Sequence, residues 1–165
     1  MKTLITIDPG ASGAIAVRDA EGRVFADDMP ETQRDVWEHL ASLIPRKEVI
    51  SGRIIYEGRA HDPHCYIEDA GYHVQGNNAS ASCKFARHCG ALEMALTGLC
   101  IPFVAVRPQA WMKHFGTMPK EKAARKRRIK ELMQRRYPNI KVTLANADAL
   151  AILTWAIESQ KQEAA

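Results

Sequence analysis

The sequence predicts an α/β domain in which short strands and helices share one chain of 165 residues. Two apolar segments near the N terminus are joined by a Pro-Gly turn, and a third short strand follows them. Beyond these strands, apolar residues recur at helical spacing between two further apolar segments. With 46% hydrophobic residues, the chain fits one compact domain over 1–160, followed by a frayed tail over 161–165.

The elements follow in order. Strands are predicted over about 3–8, 13–18 and 23–27, and their tight turns imply an antiparallel meander. A helix over about 32–44 follows, and a fourth strand, 53–57, ends in Glu57. Residues 58–78 lack clear periodicity and are expected to form a long loop of the kind that often carries function.

The second half is predicted to be mainly helical. An apolar stripe predicts a helix over 82–96, and Ile101–Val106 is the fifth strand. The basic segment 119–136 has a narrow apolar face and is predicted to be helical. The last helix is expected to start near Asn146, which is a favourable N-cap residue.

Positive charge is concentrated between Pro119 and Pro138, where nine Lys or Arg residues stand against two Glu, although the net charge is only +4. Such a block favours a polyanionic partner through phosphate neutralisation, and a solvated helix face is the alternative. The predicted DNA contacts in this block are Lys120, Arg125, Lys126, Arg127 and Arg128.

No apolar run is long enough to cross a membrane and no secretory signal pattern is present, so a cytoplasmic location without membrane attachment is expected. The four cysteines form no CxxC pair and are expected to be reduced. His61, His64, Cys65 and His73 lie close together in the sequence and are chemically suited to ligate zinc, but their spacing matches no zinc-module pattern.

Three carboxylates stand out. Asp8 and Glu57 each end a predicted strand, and Asp148 lies in the first turn of an apolar helix. Asp8 capping a hairpin turn, and Asp148 favoured by the helix dipole, are the structural alternatives. Three carboxylates on one core-facing framework would repel one another unless cations lay between them. Mg²⁺ suits such oxygen ligands, and two ions can clamp a phosphodiester, so a metal-dependent nuclease is favoured.

The segments Ile7-Asp8-Pro9-Gly10, Ile55-Tyr56-Glu57 and Ala147-Asp148-Ala149-Leu150-Ala151 occur in an order that resembles the RuvC-type Holliday-junction resolvases of the ribonuclease-H-like superfamily. Asn78, Lys84 and Gly90 fall between them at similar spacing. The segment Arg107–Lys113 also looks like the basic stretch that follows the fifth strand in such enzymes.

The resemblance implies a ribonuclease-H-like fold, with a mixed five-stranded sheet whose first three strands are antiparallel and whose last two are parallel. It also implies a homodimer that resolves four-way DNA junctions by paired nicks. Asp8, Glu57 and Asp148 would hold two Mg²⁺ ions, or Mn²⁺ ions, that activate a water. Lys113, with Lys120 or Lys122, would hold the scissile phosphate.

Two departures from the family pattern are visible. Many members carry a fourth acid three residues before the last Asp, where this chain has Ala145. The stretch from Glu57 to Asn78 is also longer than in the bacterial type enzyme.

Further DNA contacts are predicted outside the basic block. In the long loop, Arg59, His61, His64, Tyr66 and Tyr72 would meet phosphate or stack on unpaired bases, and packing of both Tyr onto the domain is the alternative. A phosphate seat at the second helix would comprise Asn78, Ser80, Ser82, Lys84 and Arg87, with solvent exposure of the two basic residues as the alternative. Trp111 is expected to be a packing anchor rather than a base contact.

Other functions compete with the resolvase prediction. Sugar kinases and actin-like ATPases open on a similar strand-turn-strand, but they need two such domains and this chain has room for one. A junction-binding protein with weak catalysis fits the Ala145 departure. A nuclease of the same fold that acts on other branched DNA or on RNA–DNA hybrids differs only in its loops.

Overall fold

The structure is a computed structural model that describes residues 2–44, 47–50, 53–56, 63–69, 71 and 78–163. Seven strands and five helices occur in these ranges. The strands are β1 (Leu4–Asp8), β2 (Ala14–Arg18), β3 (Val24–Asp28), β4 (Lys47–Ile50), β5 (Arg53–Tyr56), β6 (His64–Glu68) and β7 (Phe103–Val106). The helices are α1 (Gln33–Ser42), α2 (Ala79–Gly98), α3 (Pro108–Lys113), α4 (Lys122–Arg136) and α5 (Ala147–Glu163).

The main sheet has five strands in the order β3-β2-β1-β6-β7. The first three strands form the predicted antiparallel meander, and β6 and β7 continue the sheet in parallel to β1. The mixed five-stranded sheet with flanking helices is therefore confirmed.

One strand assignment was wrong. The segment Arg53–Tyr56 is a strand, as predicted, but it pairs with β4 in a separate two-stranded antiparallel sheet. The fourth strand of the main sheet is His64–Glu68, inside the region expected to be a loop. A short strand that carries His, Cys and Tyr produces a weak apolar pattern, so β5 gave the stronger signal.

Alternation along β1 divides the core between the two faces of the sheet. Ile5 and Ile7 pack into a cluster with residues of α1 and α2. Leu4 packs on the opposite face with residues of α4 and α5. Thr6 also lies on the α5 face, where its Oγ1 donates a hydrogen bond of 2.8 Å to the carbonyl oxygen of Ala149.

Four of the helices in the described ranges lie close to their predicted positions, whereas α3 was not predicted from the sequence. Thr32 caps α1, since its Oγ1 accepts a hydrogen bond from the Asp35 amide. Helix α5 starts after Asn146 and continues to Glu163, beyond the position where a frayed tail was expected. In the described part of the chain, no helix combines the length and apolarity needed to cross a bilayer.

Candidate active site

Two carboxylates meet at the ends of adjacent strands. The parallel register of β1 and β6 pairs Ile7 with Ile67, so Asp8 and Glu68 lie next to each other at the carboxyl ends of these strands. Both side chains lie on the face covered by α5, because side chains alternate along a strand. Ligands of open α/β sheets bind at this end of the strands.

The turn after Asp8 is tight. The amide of Gly13 donates to the carbonyl of Gly10 at 3.0 Å, and Gly10 has a φ of 117°. A Cβ on Gly13 would overlap the carbonyl oxygen of Asp8. The glycines therefore let the chain reverse directly behind the Asp8 carboxylate, which keeps the space in front of it open.

The third carboxylate belongs to α5. The hydrogen bond from Thr6 to Ala149 joins β1 to the first turn of this helix, and it brings Asp148 towards Asp8. Asn146 precedes the helix, as predicted, but its Oδ1 accepts from the Thr143 amide and its Nδ2 donates to the Lys141 carbonyl. Asn146 therefore braces the turn that leads into α5.

These carboxylates share a cleft of about 270 Å³ with residues from three helices, α2, α3 and α4. One wall is a single face of α4, on which residues recur at helical spacing. The cleft is lined by Asp8, Pro9, Glu68, Phe85, Pro108, Trp111, Met112, Lys122, Arg125, Lys126, Ile129 and Asp148. The basic helix thus presents Lys122, Arg125 and Lys126 to an acidic cluster.

Burial and mutual repulsion raise the pKa values of the acids. Burial raises the pKa of Asp8 well above its usual value, and the charges of Glu68 and Asp148 raise it further. The pKa of Glu68 is also raised, mainly by burial, although hydrogen bonds from Trp111 and Asp8 oppose the shift. The side chains of Asp8 and Glu68 therefore interact directly, and their negative charges repel each other.

Asp148 has a different partner. Burial raises its pKa, and Lys126 opposes this rise. Nζ of Lys126 lies 3.4 Å from Oδ2 of Asp148. Within the part of the chain that the structure describes, the buried Oδ1 of Asp148 has no hydrogen-bond partner. A buried carboxylate oxygen without a donor is costly, so this atom is available to a cationic ligand.

Trp111 supports the site from α3. Its side chain is 2% exposed, and its indole Nε1 donates a hydrogen bond of 3.0 Å to Oε1 of Glu68. The expectation of a packing anchor is confirmed. The structure adds that this anchor orients a carboxylate, a role that the sequence pattern did not reveal.

Glu68 was missed at the sequence level. The predicted ligand Glu57 lies outside the described residues, as does Arg59. Glu68 occupies the position expected for Glu57, at the end of the strand parallel to β1. The excess length between Glu57 and Asn78 was an available signal, because an acidic strand end further along the chain shortens that stretch.

Tyr66 does not lie in a loop. It is on β6, and its ring packs edge-on against Trp155 with a centroid distance of 5.5 Å. This contact supports the packing alternative for Tyr66, and its contact with DNA stays a prediction. Tyr72, His61 and His73 lie outside the described residues. Of the suggested zinc ligands, Cys65 is fully buried in the apolar core and its pKa is raised by that burial.

The predicted phosphate seat lies beside the cleft. Asn78 caps α2, because its Oδ1 accepts from the Ala81 amide. Ser80, Lys84 and Arg87 are exposed, and Ser82 is half-buried. Phe85 lines the cleft from the same helix and lies against Gly10. Of the residues named here, Phe85 alone lines the cleft, and contact of the predicted phosphate seat with DNA stays a prediction.

The predicted lysines differ in position. Lys122 lines the cleft, whereas Lys113 and Lys120 are exposed outside its lining. Arg125 and Lys126 are half-buried on the cleft side of α4, while Arg127 and Arg128 are exposed on its far side. The basic block is therefore divided between two faces of one helix.

The geometry of a metal site is incomplete as it stands. Among the described residues, no three carboxylate, imidazole or thiol side chains are gathered closely enough to enclose an ion. The ammonium of Lys126 beside Asp148 neutralises part of the cluster. The donor set and the free Oδ1 nevertheless suit a hard divalent cation.

Comparison with known proteins identifies the fold. No protein-family model matches this chain, and no curated protein matches it. Among solved structures, Thermus thermophilus RuvC in complex with a Holliday junction substrate matches with a TM-score of 0.55 and 14% identity, covering 92% of this chain and 90% of that one. Another Thermus thermophilus RuvC structure matches at 17% identity and a TM-score of 0.48, covering 91% and 90%.

The sheet order is that of a ribonuclease-H-like fold. Within that class, this chain has a RuvC-like fold.

Proposed function

We propose that this protein is a divalent-metal-dependent endonuclease that resolves four-way DNA junctions. The observation that carries the proposal is the convergence of Asp8, Glu68 and Asp148 on one cleft, whose opposite wall is the cationic face of α4. The acids suit a metal and the cations suit a phosphate, so the cleft offers both halves of a phosphodiester site. A RuvC-like fold is consistent with a junction substrate.

In this proposal Asp8, Glu68 and Asp148 hold Mg²⁺ or Mn²⁺. The bound metal would activate a water and stabilise the charge that develops on the phosphate. A second ion would have fewer ligands, because Ala145 supplies no carboxylate. Because the pKa values of Asp8 and Glu68 are raised, protons would compete with a metal for these carboxylates.

The chain's own residues then position the reactants. Trp111 fixes the orientation of the Glu68 carboxylate through its indole N–H, as second-layer hydrogen bonds do in metal sites. Lys122 and Arg125 line the cleft opposite the acids, where they attract a DNA phosphate. The apolar residues Ile129 and Met112 line the same cleft, and they reduce access of bulk water to it.

Paired nicking of a four-way junction needs two such sites. We therefore expect a homodimer, in which each protomer cuts one strand. Sedimentation of the free protein and of its junction complex measures this stoichiometry. A single protomer on the complex would contradict paired cleavage by a dimer.

A junction-binding protein with weak catalysis is the second candidate. It is favoured by one observation, namely that the described acids do not enclose an ion without rearrangement. A nuclease for flaps or RNA–DNA hybrids shares the same acidic cleft and differs in substrate. Cleavage of a panel of DNA substrates separates these three functions.

The test is cleavage of a labelled synthetic four-way junction in Mg²⁺, with flap, hybrid and duplex substrates in parallel. Symmetric nicks at the junction are expected from the wild type. Asp8→Asn and Glu68→Gln are expected to lower cleavage at least about 100-fold, more than the loss of a supporting residue usually costs. Junction binding should be retained in both variants.

Glu57→Gln decides between the two candidate strand-end acids. If the variant retains cleavage, the metal-ligand role is assigned to Glu68. If it loses cleavage, that role is assigned to Glu57. Glu38→Gln, on the exposed side of α1, controls for the substitution itself. Activity that survives Asp8→Asn would contradict the metal-site proposal, and junction binding without nicks from the wild type would favour the binding protein.

A further inference from the structure

The positively charged wall of the cleft is formed by Lys122, Arg125 and Lys126. These residues lie near the N-terminal end of α4, which is the end of a helix that least favours positive charge. The helix begins at Lys122, and Glu121 caps it by accepting from the amides of Ala123 and Ala124. The N-terminal end of a helix carries a partial positive charge that acts within the first turn, so Lys122 and Arg125 are placed against the dipole, and Lys126 lies one position beyond that turn. Their position is unfavourable for the isolated helix and is compensated by the acids across the cleft.

Among these cations, Lys126 has a specific partner. Its Nζ lies 3.4 Å from Oδ2 of Asp148, and its side chain is 35% exposed, against 13% for Asp148. A charge-assisted hydrogen bond is usually about 2.7–2.9 Å long, so this ion pair is loose. The lysine can therefore turn towards solvent without breaking a tightly packed contact.

Asp148 is thus engaged on one oxygen only. Oδ2 faces Lys126, while Oδ1 lacks a partner among the described residues. A divalent cation at Asp148 would stand close to the Lys126 ammonium, and two like charges in a partly buried cleft repel strongly. Lys126 and a metal ion therefore each weaken the other's interaction with Asp148.

We propose that Lys126 competes with the divalent cation for Asp148, and that a DNA phosphate in the cleft releases this competition by drawing Lys126 away. The inference rests on the proposed metal site of the nuclease. It predicts weak metal binding to the free protein and tighter binding to the DNA complex. By thermodynamic reciprocity, the metal also tightens DNA binding by the same factor.

Because metal binding and DNA binding are coupled in this way, the protein would bind the metal mainly when the DNA substrate is present. Lys126 acts as a positioning residue, since it alters which partner Asp148 contacts. Without Lys126, the acids would attract a cation even in the free protein.

The test is Mn²⁺ binding, measured by electron paramagnetic resonance on the free, folded protein and on its complex with a phosphorothioate-substituted four-way junction. Wild type is expected to bind Mn²⁺ about tenfold more tightly with the junction, within the usual range of coupling. Lys126→Gln is expected to bind Mn²⁺ about tenfold more tightly than wild type when free, and to lose most of the coupling.

Two variants control for charge and fold. Lys161→Gln removes the same charge from α5, the helix that carries Asp148, at a distance of about 20 Å along its axis. It should change Mn²⁺ affinity less than about twofold, because screening weakens exposed charges at this range. Lys126→Arg keeps the charge and should bind Mn²⁺ as weakly as wild type.

Equal Mn²⁺ affinities for wild type and Lys126→Gln would overturn the competition. If the wild type nevertheless cleaves junctions with Mn²⁺, only this inference fails and the proposed nuclease stands. If neither protein binds Mn²⁺ with or without the junction, both the inference and the metal-dependent function fail. Equal effects of Lys126→Gln and Lys161→Gln would assign the change to net charge and would also overturn it.

Discussion

The two faces of α4 carry the same kind of charge in different surroundings. On the inner face, Lys122, Arg125 and Lys126 line the cleft and look onto buried carboxylates. On the outer face, Arg127 and Arg128 are exposed, and Nη1 of Arg128 reaches Oε2 of Glu131 only at 4.0 Å. Helical periodicity separates residues that are neighbours in sequence into two electrostatic environments.

The difference between the two faces of α4 indicates how each set of positive charges would act on DNA. An inner cation faces partly buried carboxylates, where the effective dielectric constant is lower than in water, so its attraction to a carboxylate or a phosphate is stronger than that of an outer cation. An outer cation is screened by salt within about 8–10 Å, and it contributes to long-range attraction of a polyanion. We therefore expect inner variants to change the chemical step and outer variants to change association.

The largest effect is expected from the inner face. Combining Lys122→Gln with Arg125→Gln should lower single-turnover cleavage about 100-fold, since removal of one group that stabilises developing charge usually costs 10²–10³. Arg127→Gln with Arg128→Gln removes the same charge from the outer face and should cost far less at low salt. Equal losses at saturating protein would remove the distinction between the faces.

Trp111→Phe tests whether the hydrogen bond from Trp111 is needed to orient the Glu68 carboxylate, which lies across the cleft from the inner face of α4. Phenylalanine keeps an aromatic ring in the core but removes the indole N–H that donates to Glu68. We expect about a tenfold loss of cleavage, at the low end for supporting residues of metal sites. Thermal unfolding serves as the control for packing, and unchanged cleavage in a folded variant would show that Glu68 needs no such support.

A salt titration tests whether the arginines of the outer face contact DNA phosphates. Junction affinity should fall with rising salt. If Arg127 and Arg128 each bind a phosphate, Arg127→Gln and Arg128→Gln should each make the slope shallower by about 0.9. Filter binding across a salt series measures this slope. An unchanged slope would mean that these arginines belong to a solvated helix face and do not contact phosphate.

The smallest effect concerns stability. The pKa of Asp8 is raised in the folded protein, so its contribution to stability is fully present below its ordinary value of 3.8 and is lost as pH rises through the folded pKa. Asp8→Asn removes this loss, while its amide can still donate to Glu68. In the absence of metal, we expect Tm to rise by about 2–4 °C at neutral pH, a gain of about 1 kcal/mol for a chain of this size.

That gain should shrink as pH falls, because Asp8 is protonated in both states at low pH. Thermal melts at several pH values, with chelator present, provide the measurement. A gain that is independent of pH would show that the Asp8 charge does not destabilise the metal-free protein.

Much of the fold was predictable because it depends on local patterns. The meander β1–β3, the stop at Asp8 and the helices follow from alternation, helical spacing and turn residues. Glu68 was not predictable in this way, because β5 has the more apolar pattern and yet pairs outside the main sheet. Strand pairing is a non-local choice, and a short apolar segment carries no information about its partner.

The sequence by itself determined the α/β class, the acid at the end of β1 and the concentration of basic residues on one helix. These features depend on residue order and on periods of two or 3.6, which are local properties of the chain. The tertiary structure decided which strand lies beside β1, and so placed Glu68 next to Asp8. It also decided which cations of α4 face Asp148, because that choice depends on how the helix packs against α5.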